Sequence, residues 1–204
     1  MIWVLLSVLA GLGDSFSFFS MKKIRLDPMV IIVLRALITL PFLSIGFLFY
    51  NFVPISTKFV TILIINSAII VVALILIIKS LKLAPFHKSV PMLSFTPVFL
   101  LLTSYLMLGE FPTTAGLFGI LLVVLGAYFI NLTDLKEGFT QKIKNIFKNK
   151  GIRYMFFVSI ILSIAANLTK TGIQLSNPVQ YMASHYILVA PILLVFYFNK
   201  IKRS

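Results

Sequence analysis

Residues 94–132 read SFTPVFLLLTSYLMLGEFPTTAGLFGILLVVLGAYFINL. The order of apolar and polar residues in this stretch indicates the class of fold. Two apolar runs flank a short polar segment, GEFPTT, at 109–114. A helix needs about 20 mostly apolar residues, each rising about 1.5 Å, to cross the hydrocarbon core of a bilayer. The stretch therefore predicts two membrane-spanning helices joined by a polar turn.

The rest of the chain repeats this pattern. Of its 204 residues, 60% are hydrophobic and only 5 are acidic, too few polar groups for the surface of a soluble domain of this size. We predict an all-α polytopic membrane helix bundle with seven transmembrane helices, at 2–20, 28–50, 59–78, 85–108, 113–132, 152–171 and 178–199. No basic residue precedes the first apolar run, so we interpret it as a retained span and not as a cleaved signal peptide.

The positive charges lie at the ends of the apolar runs, where they meet lipid headgroups, and this placement argues against nucleic-acid binding despite a formal charge of +13. With seven spans, one side of the membrane holds only Lys58 and Lys170. The other side holds Lys22, Lys23, Arg25, Lys79, Lys82, Lys88, Lys136, Lys142, Lys144, Lys148, Lys150, Arg153, Lys200, Lys202 and Arg203. The positive-inside rule predicts a multi-pass protein of the cell membrane with its N-terminus outside and its C-terminus in the cytoplasm.

A shift of 150 residues aligns the second span with the seventh. Pro28 then falls on Pro178 and Pro41 on Pro191. The repeat unit contains five helices, an odd number, so its second copy must cross the membrane in the opposite direction. Inverted repeats of this kind are a recurring plan of secondary transporters, with the substrate site near the midplane between the repeats.

The repeat divides the chain into a first repeat of five helices at 1–132, a basic linker at 133–151, and the first two helices of a second repeat at 152–204. Counterparts of three further helices are absent from the sequence. We expect either a shortened form of a ten-helix protein or a chain that assembles with a partner, such as a second copy. For the linker, a solvated segment and an amphipathic helix on the membrane surface both remain open.

Residues 94–132 also resemble the end of an EamA repeat, found in the drug/metabolite transporter (DMT) superfamily. The resemblance lies in Pro97 within the fourth span, the pair Gly109-Glu110 that closes this span, and Gly119 and Gly126 in the fifth. It implies a carrier of small metabolites, amino acids or drugs that works by alternating access, without a cofactor. Two features depart from the family pattern: seven spans instead of ten, and an N-terminus placed outside by the charges.

Polar residues within or near the spans are candidates for a substrate path: Asp14, Arg35, Asn66, Asn167, Lys170 and His185. Asp14 and Arg35 lie at similar depth on either side of a short turn, and a charge near the bilayer centre costs at least ~2.5 kcal/mol. We consider an ion pair or a shared wet cavity, and equally a snorkelling Arg35 with Asp14 against another helix. The asparagines and His185 have a structural alternative as interhelical hydrogen-bond partners.

Prolines and glycines are candidates for helix geometry. Pro41, Pro91 and Pro97 each remove a backbone hydrogen bond and predict kinks. Gly119 and Gly126 predict a face of the fifth span that a neighbouring helix approaches closely. We interpret Glu110 chiefly as part of a helix start with Pro112, with Thr113 or Thr114 as the cap, and proton coupling by Glu110 as the alternative.

Other classes of function find less support. A membrane-embedded enzyme needs clustered acid, base or nucleophile groups, and the sequence offers no such cluster, so we predict no enzymatic activity. A retinal protein needs a lysine in the middle of its last helix, and 178–199 contains none. The chain has no cysteine and two histidines, which argues against a metal centre. A non-transporting membrane protein, or a subunit that pairs with a partner, stays open as an alternative.

Overall fold

The computed structural model describes residues 50–131 and 148–201, with side chains through 126 and 192. Before residue 50 it describes only 5, 7–13, 15, 16, 38, 39, 41, 43 and 45. The two long ranges contain six α-helices: α1 (Thr57–Leu83), α2 (Phe86–Ser89), α3 (Thr96–Leu108), α4 (Thr114–Asn131), α5 (Lys150–Gln174) and α6 (Pro178–Ile201). A 3-10 segment, Val90–Phe95, joins α2 to α3.

These helices fall on the last five predicted spans, each within a few residues of the expected bounds. Within the described residues, three stretches are long and apolar enough to cross a membrane: Thr57–Leu83, Phe86–Leu108 and Lys150–Gln174. A shorter apolar helix covers Thr114–Gly126. The spans predicted at 2–20 and 28–50 are described only in part, and most of the linker 133–151 lies outside the described residues. The count of seven and the inverted repeat therefore stay predictions.

Side chains at the helix ends explain where α1 and α5 begin. The hydroxyl of Ser56 accepts a hydrogen bond from the amide of Phe59 at 3.2 Å at the start of α1. Asn149 Oδ1 accepts from the amides of Gly151 and Ile152, at 2.8 and 3.4 Å, at the start of α5. Each cap pairs amides that have no partner within the helix.

Interhelical contacts give the directions of the helices. Ser80 near the end of α1 donates to the carbonyl of Gly151 at the start of α5 at 2.7 Å, so α1 and α5 are antiparallel. Phe59 meets Tyr181 with ring centroids 6.2 Å apart, and further along α1 Ser67 bonds to His185, so α1 and α6 are parallel. By the same reasoning α3 runs parallel to α5, on which it packs.

Two ends of the bundle follow from these directions. At the turn end, α3 and α5 end while α1, α4 and α6 begin, and Lys58, Glu110 and Lys170 lie there. At the basic end, α1 ends while α2 and α5 begin. The exposed basic side chains of the described residues at this end are Lys79, Lys82, His87, Lys88, Lys148, Lys150 and Arg153. The fold therefore separates positive charge along the described helices in the way that the alternation of spans predicts.

Burial within the described helices is inverted relative to a soluble protein. Small polar side chains such as Ser67, Ser159 and Ser163 are fully buried, beside apolar core residues such as Met155 and Val158. Large apolar side chains face outward, among them Leu106 of α3 at 71% exposure and Leu122 of α4 at 68%. An apolar exterior of this kind matches a lipid environment, because hydrocarbon does not penalise exposed apolar surface.

Close packing at the basic end depends on Gly151. A Cβ built there would lie 2.7 Å from the Cβ of Ala84 and 2.9 Å from the carbonyl oxygen of Ser80. Any larger residue would push the start of α5 away from the end of α1. Small residues at helix crossings allow this approach in membrane proteins.

Candidate functional site

Helix α5 carries polar side chains on two of its sides. On one side it faces α3, and on the other it faces α1 and α6. The hydrogen bonds along each side define two clusters. At about 1.5 Å per residue, the polar side chains of these clusters lie roughly 4–17 Å from the turn end of the helices, and the two asparagines and the histidine lie roughly 10–14 Å from it, within the hydrocarbon thickness.

The first cluster joins α5 to α3 around Asn167, which is 2% exposed. Asn167 Oδ1 accepts from the hydroxyl of Ser104 at 2.9 Å, and its Nδ2 donates to Thr103 Oγ1 at 3.0 Å. The same Nδ2 also lies 3.2 Å from the carbonyl oxygen of Ser163 one turn earlier. Both ends of the amide are therefore paired, which makes this cluster a well-satisfied contact between helices.

The second cluster joins α5 to α1 and α6 around Asn66, which is 1% exposed. Asn66 Nδ2 donates to Thr169 Oγ1 at 2.9 Å and to the Tyr181 hydroxyl at 2.5 Å. Asn66 Oδ1 is buried without a hydrogen-bond partner among the described residues. Exchanging the amide's oxygen and nitrogen, which assignment alone distinguishes, would leave Nδ2 unpaired instead. In either orientation one polar atom of this amide has no partner, at a cost of about 1–3 kcal/mol.

His185 extends the second cluster along α6. Its Nδ1 lies 3.0 Å from the hydroxyl of the fully buried Ser67, and its ring stacks on Tyr181 with centroids 6.3 Å apart. The tautomer decides whether Ser67 donates or accepts. Hydroxyl, amide and imidazole groups thus form one contiguous cluster between α1, α5 and α6.

Gly172 makes room for Tyr181 in this cluster. A Cβ at residue 172 would lie 2.2 Å from Cε2 and 2.6 Å from Cδ2 of the Tyr181 ring. The ring is 1% exposed and sits between α5 and α1, with its edge against Phe59. The absence of a side chain on Gly172 therefore places the Tyr181 hydroxyl against Asn66.

The segment GEFPTT forms the turn between α3 and α4 at the turn end. Gly109 adopts φ 69°, a left-handed conformation that favours glycine, and ends α3 while the amide of Glu110 bonds back to the carbonyl of Ser104 at 3.3 Å. The hydroxyl of Thr113 accepts from the amide of Gly116 at 3.3 Å and caps the start of α4. Glu110 forms an ion pair with Lys170 near the end of α5.

The other candidates from the sequence divide into three groups. Asp14 and Arg35 lie outside the described residues, so their pairing stays a prediction. Pro91 lies in the 3-10 segment, and Pro97 occupies the first turn of α3. Further prolines sit in helical backbone, at Pro41 and within α6 at Pro191.

Close packing at the glycines of α4 stays a prediction. Nothing among the described residues lies within 4 Å of a Cβ built at Gly119 or Gly126. Among the described glycines, a Cβ would come closer than 3.0 Å to a neighbour at Gly151 and Gly172, and neither was a candidate from the sequence. Ser67, Thr169 and Tyr181 were not candidates either, because serine, threonine and tyrosine are common in membrane helices and carry no spacing signal here.

The described residues contain no group of three or more His, Cys, Asp or Glu side chains placed to hold a metal ion. Comparison with family models found that residues 1–132 match the EamA-like transporter family. The chain belongs to this family. It is thus a multi-pass membrane protein of a transporter family in the DMT superfamily, a family that is not enzymatic. Comparisons with curated proteins and with solved structures found no match.

The match to EamA includes the turn GEFPTT and ends one residue after α4. Residues 133–204 lie beyond it, and α5 and α6 therefore come from the part of the chain outside the match. Both polar clusters join the two parts: Ser104 of α3 and Asn66 of α1 belong to the matched part, whereas Asn167 and Tyr181 do not. The candidate site of this EamA protein is thus built across that boundary.

Proposed function

We propose that this EamA protein is a secondary transporter that moves a small metabolite, amino acid or drug by alternating access along α5. The observation that carries the proposal is the second cluster, in which a buried amide atom of Asn66 has no partner between α1, α5 and α6. A polar atom left unpaired inside an apolar bundle is costly, and such groups in membrane helices commonly serve a solute or ion path. A solute that donates a hydrogen bond to Asn66 Oδ1 would remove that cost.

In this mechanism the polar path does not need fixed charge in the described part of the bundle. Tyr181, His185 and Asn66 offer hydrogen bonds in several directions, and the two rings add flat apolar surface. Hydrogen bonds of this kind are exchanged for those of a solute at little net cost, because one hydrogen bond replaces another. The predicted pair Asp14 and Arg35 would add charge to the path if it reaches the same cavity.

The proposal also includes an orientation: the basic end faces the cytoplasm and the turn end faces outward, as expected from the positive-inside rule. Its support is the separation of exposed Lys and Arg side chains between the two ends. Single cysteines replacing Lys58 and Lys82, in a chain that has no cysteine of its own, mark the two ends for an impermeant maleimide. Labelling of Lys82→Cys, and not of Lys58→Cys, in intact cells would contradict this orientation.

Transport by the purified chain tests the function itself. Proteoliposomes are exposed to a panel of labelled amino acids, small metabolites and cationic drugs, with and without a proton gradient. We expect saturable flux of at least one solute, above that of protein-free liposomes prepared with the same lipid. Flux equal to protein-free liposomes for every solute, with protein shown to be folded, would favour a non-transporting subunit that pairs with a second copy or another chain.

A further inference from the structure

Helix α3 is joined to the preceding helix through a backbone that departs from regular α-helix. The segment Val90–Phe95 is 3-10, with Pro91 inside it and Pro97 as the second residue of α3. Each proline lacks an amide hydrogen, so two hydrogen bonds of a continuous helix are missing around this segment. A 3-10 stretch within a longer helical run is a common place for a hinge.

Contacts between α3 and α5 change in character along the helix. Close to the 3-10 segment they are aromatic: the rings of Phe95 and Phe99 meet Phe156 edge-on, with centroids 5.8 and 5.4 Å apart. Toward the turn end they are polar, through Asn167 with Ser104 and the ion pair of Glu110 with Lys170. No residue of α3 is fully buried. The ion pair is about half exposed, so water replaces it easily, whereas the aromatic contacts hold the hinge end in place.

The ion pair of Glu110 with Lys170 lies where a movement of the end of α3 relative to α5 would break it. Gly109 ends α3 in a left-handed conformation, and Glu110 follows it directly, so the carboxylate moves with the end of α3. Lys170 is fixed to α5, one turn beyond Asn167. The two side chains are 51% and 45% exposed, and pairs at such exposure contribute little stability. A contact of this strength opens on the timescale of a transport cycle without a large input of free energy.

We propose that the Glu110–Lys170 ion pair is a latch that holds the end of α3 against α5 and closes the bundle at its turn end. Release of the latch lets α3 pivot about Val90–Phe95 and uncovers Asn167, which is 2% exposed while the latch is closed. Asn167 and the hydroxyls of Thr103 and Ser104 then become available to a solute entering from this end. The latch rests on the proposed transport function, since it opens the first cluster, on the α3 side of α5, to the solute that the second cluster is proposed to bind.

Distance measurement by electron spin resonance tests the latch without any solute. The chain has no cysteine, so spin labels attach only at introduced positions. Phe111, beside the latch at the end of α3, and Ile187 on α6 are both well exposed, at 66% and 62%, and are replaced by labelled cysteine. In this background, Glu110→Gln and Lys170→Gln are each expected to raise the population with the longer distance by about two- to fivefold, the range for exposed ion pairs.

Exchange of the two charges and a matched control make the test specific. The double variant Glu110→Lys with Lys170→Glu is expected to restore the original distribution, because the pair forms again with reversed charges. Lys58→Gln removes a charge from the same end and is expected to leave the distribution unchanged. An unchanged distribution in Glu110→Gln, or a charge exchange that fails to restore it, overturns the latch. This test does not measure flux. If the distances respond as expected in a protein that shows no transport, the latch stands and only the proposed function is contradicted.

Discussion

Gly172→Ala is expected to destabilise the bundle strongly. Among the glycines of α4, α5 and the turn between α3 and α4, only replacement of Gly151 by alanine is expected to have a comparable effect. The new Cβ would lie 2.2 Å from the Tyr181 ring, which is enclosed between α5 and α1. The ring must leave its place, and its hydroxyl then loses Asn66. Overpacking of this kind costs about 1–3 kcal/mol. For a chain of this length we expect the unfolding temperature in detergent to fall by roughly 2–10 °C.

Two further variants identify the clash as the cause. Gly119→Ala adds the same methyl group within α4 where nothing described lies within 4 Å, so its unfolding temperature is expected not to fall, because alanine favours a helix over glycine. In a background of Tyr181→Ala the ring is gone, and Gly172→Ala is then expected to cost much less. Equal losses from Gly172→Ala with and without the Tyr181 ring would show that the glycine matters for another reason.

Asn66→Leu is expected to reduce solute flux at least about tenfold, the second large effect. Leucine is close to asparagine in size, but it offers the path no hydrogen bond and leaves the hydroxyls of Thr169 and Tyr181 without their shared partner. A factor of ten corresponds to about 1.4 kcal/mol, within the range of one lost hydrogen bond to a buried polar group. Initial rates in proteoliposomes, measured with the solute found in the panel and corrected for the amount of folded protein, give this ratio.

Ser80→Ala is the matched control for Asn66→Leu. Ser80 is likewise a fully buried polar residue of α1, but it bonds to the carbonyl of Gly151 at the basic end, away from both polar clusters. We expect this variant to lose stability while its flux per folded molecule stays within about twofold of the original. A tenfold loss of flux in both variants would mean that transport depends on the integrity of α1 in general and not on the path.

The fold could be predicted from the sequence where local chemistry determines it. Apolar runs of membrane length placed α1, α5 and α6 within a few residues, and GEFPTT was placed correctly as a turn because Gly109, Pro112 and Thr113 each have a local role. The capping role of Thr113 needs only residues up to three positions away. Such features do not depend on what another helix presents.

Contacts between helices were beyond the sequence because they depend on how each helix is rotated about its axis. Glu110 and Lys170 are 60 positions apart, and Asn66 and Tyr181 are 115 apart, so no spacing rule connects them. Glycines show the same limit. Gly119 and Gly172 have the same local chemistry, but of the two only Gly172 has an aromatic ring of the described residues within 4 Å. Asn66 and Asn167 were both recognised as candidates, yet only the structure distinguishes the satisfied amide from the unsatisfied one.

The central claim, that the cluster between α1, α5 and α6 lies on a path open alternately to the two sides, is tested most directly by Ser67→Cys. Ser67 is fully buried and bonds to His185, and the chain has no other cysteine. An impermeant maleimide is added from one side of sealed vesicles and, in a separate sample, from the other. Ala73→Cys, buried in the apolar core of the same helix, is the control. We predict labelling of Ser67→Cys from both sides and none of Ala73→Cys; a Ser67→Cys protein that stays unlabelled from both sides would contradict the account.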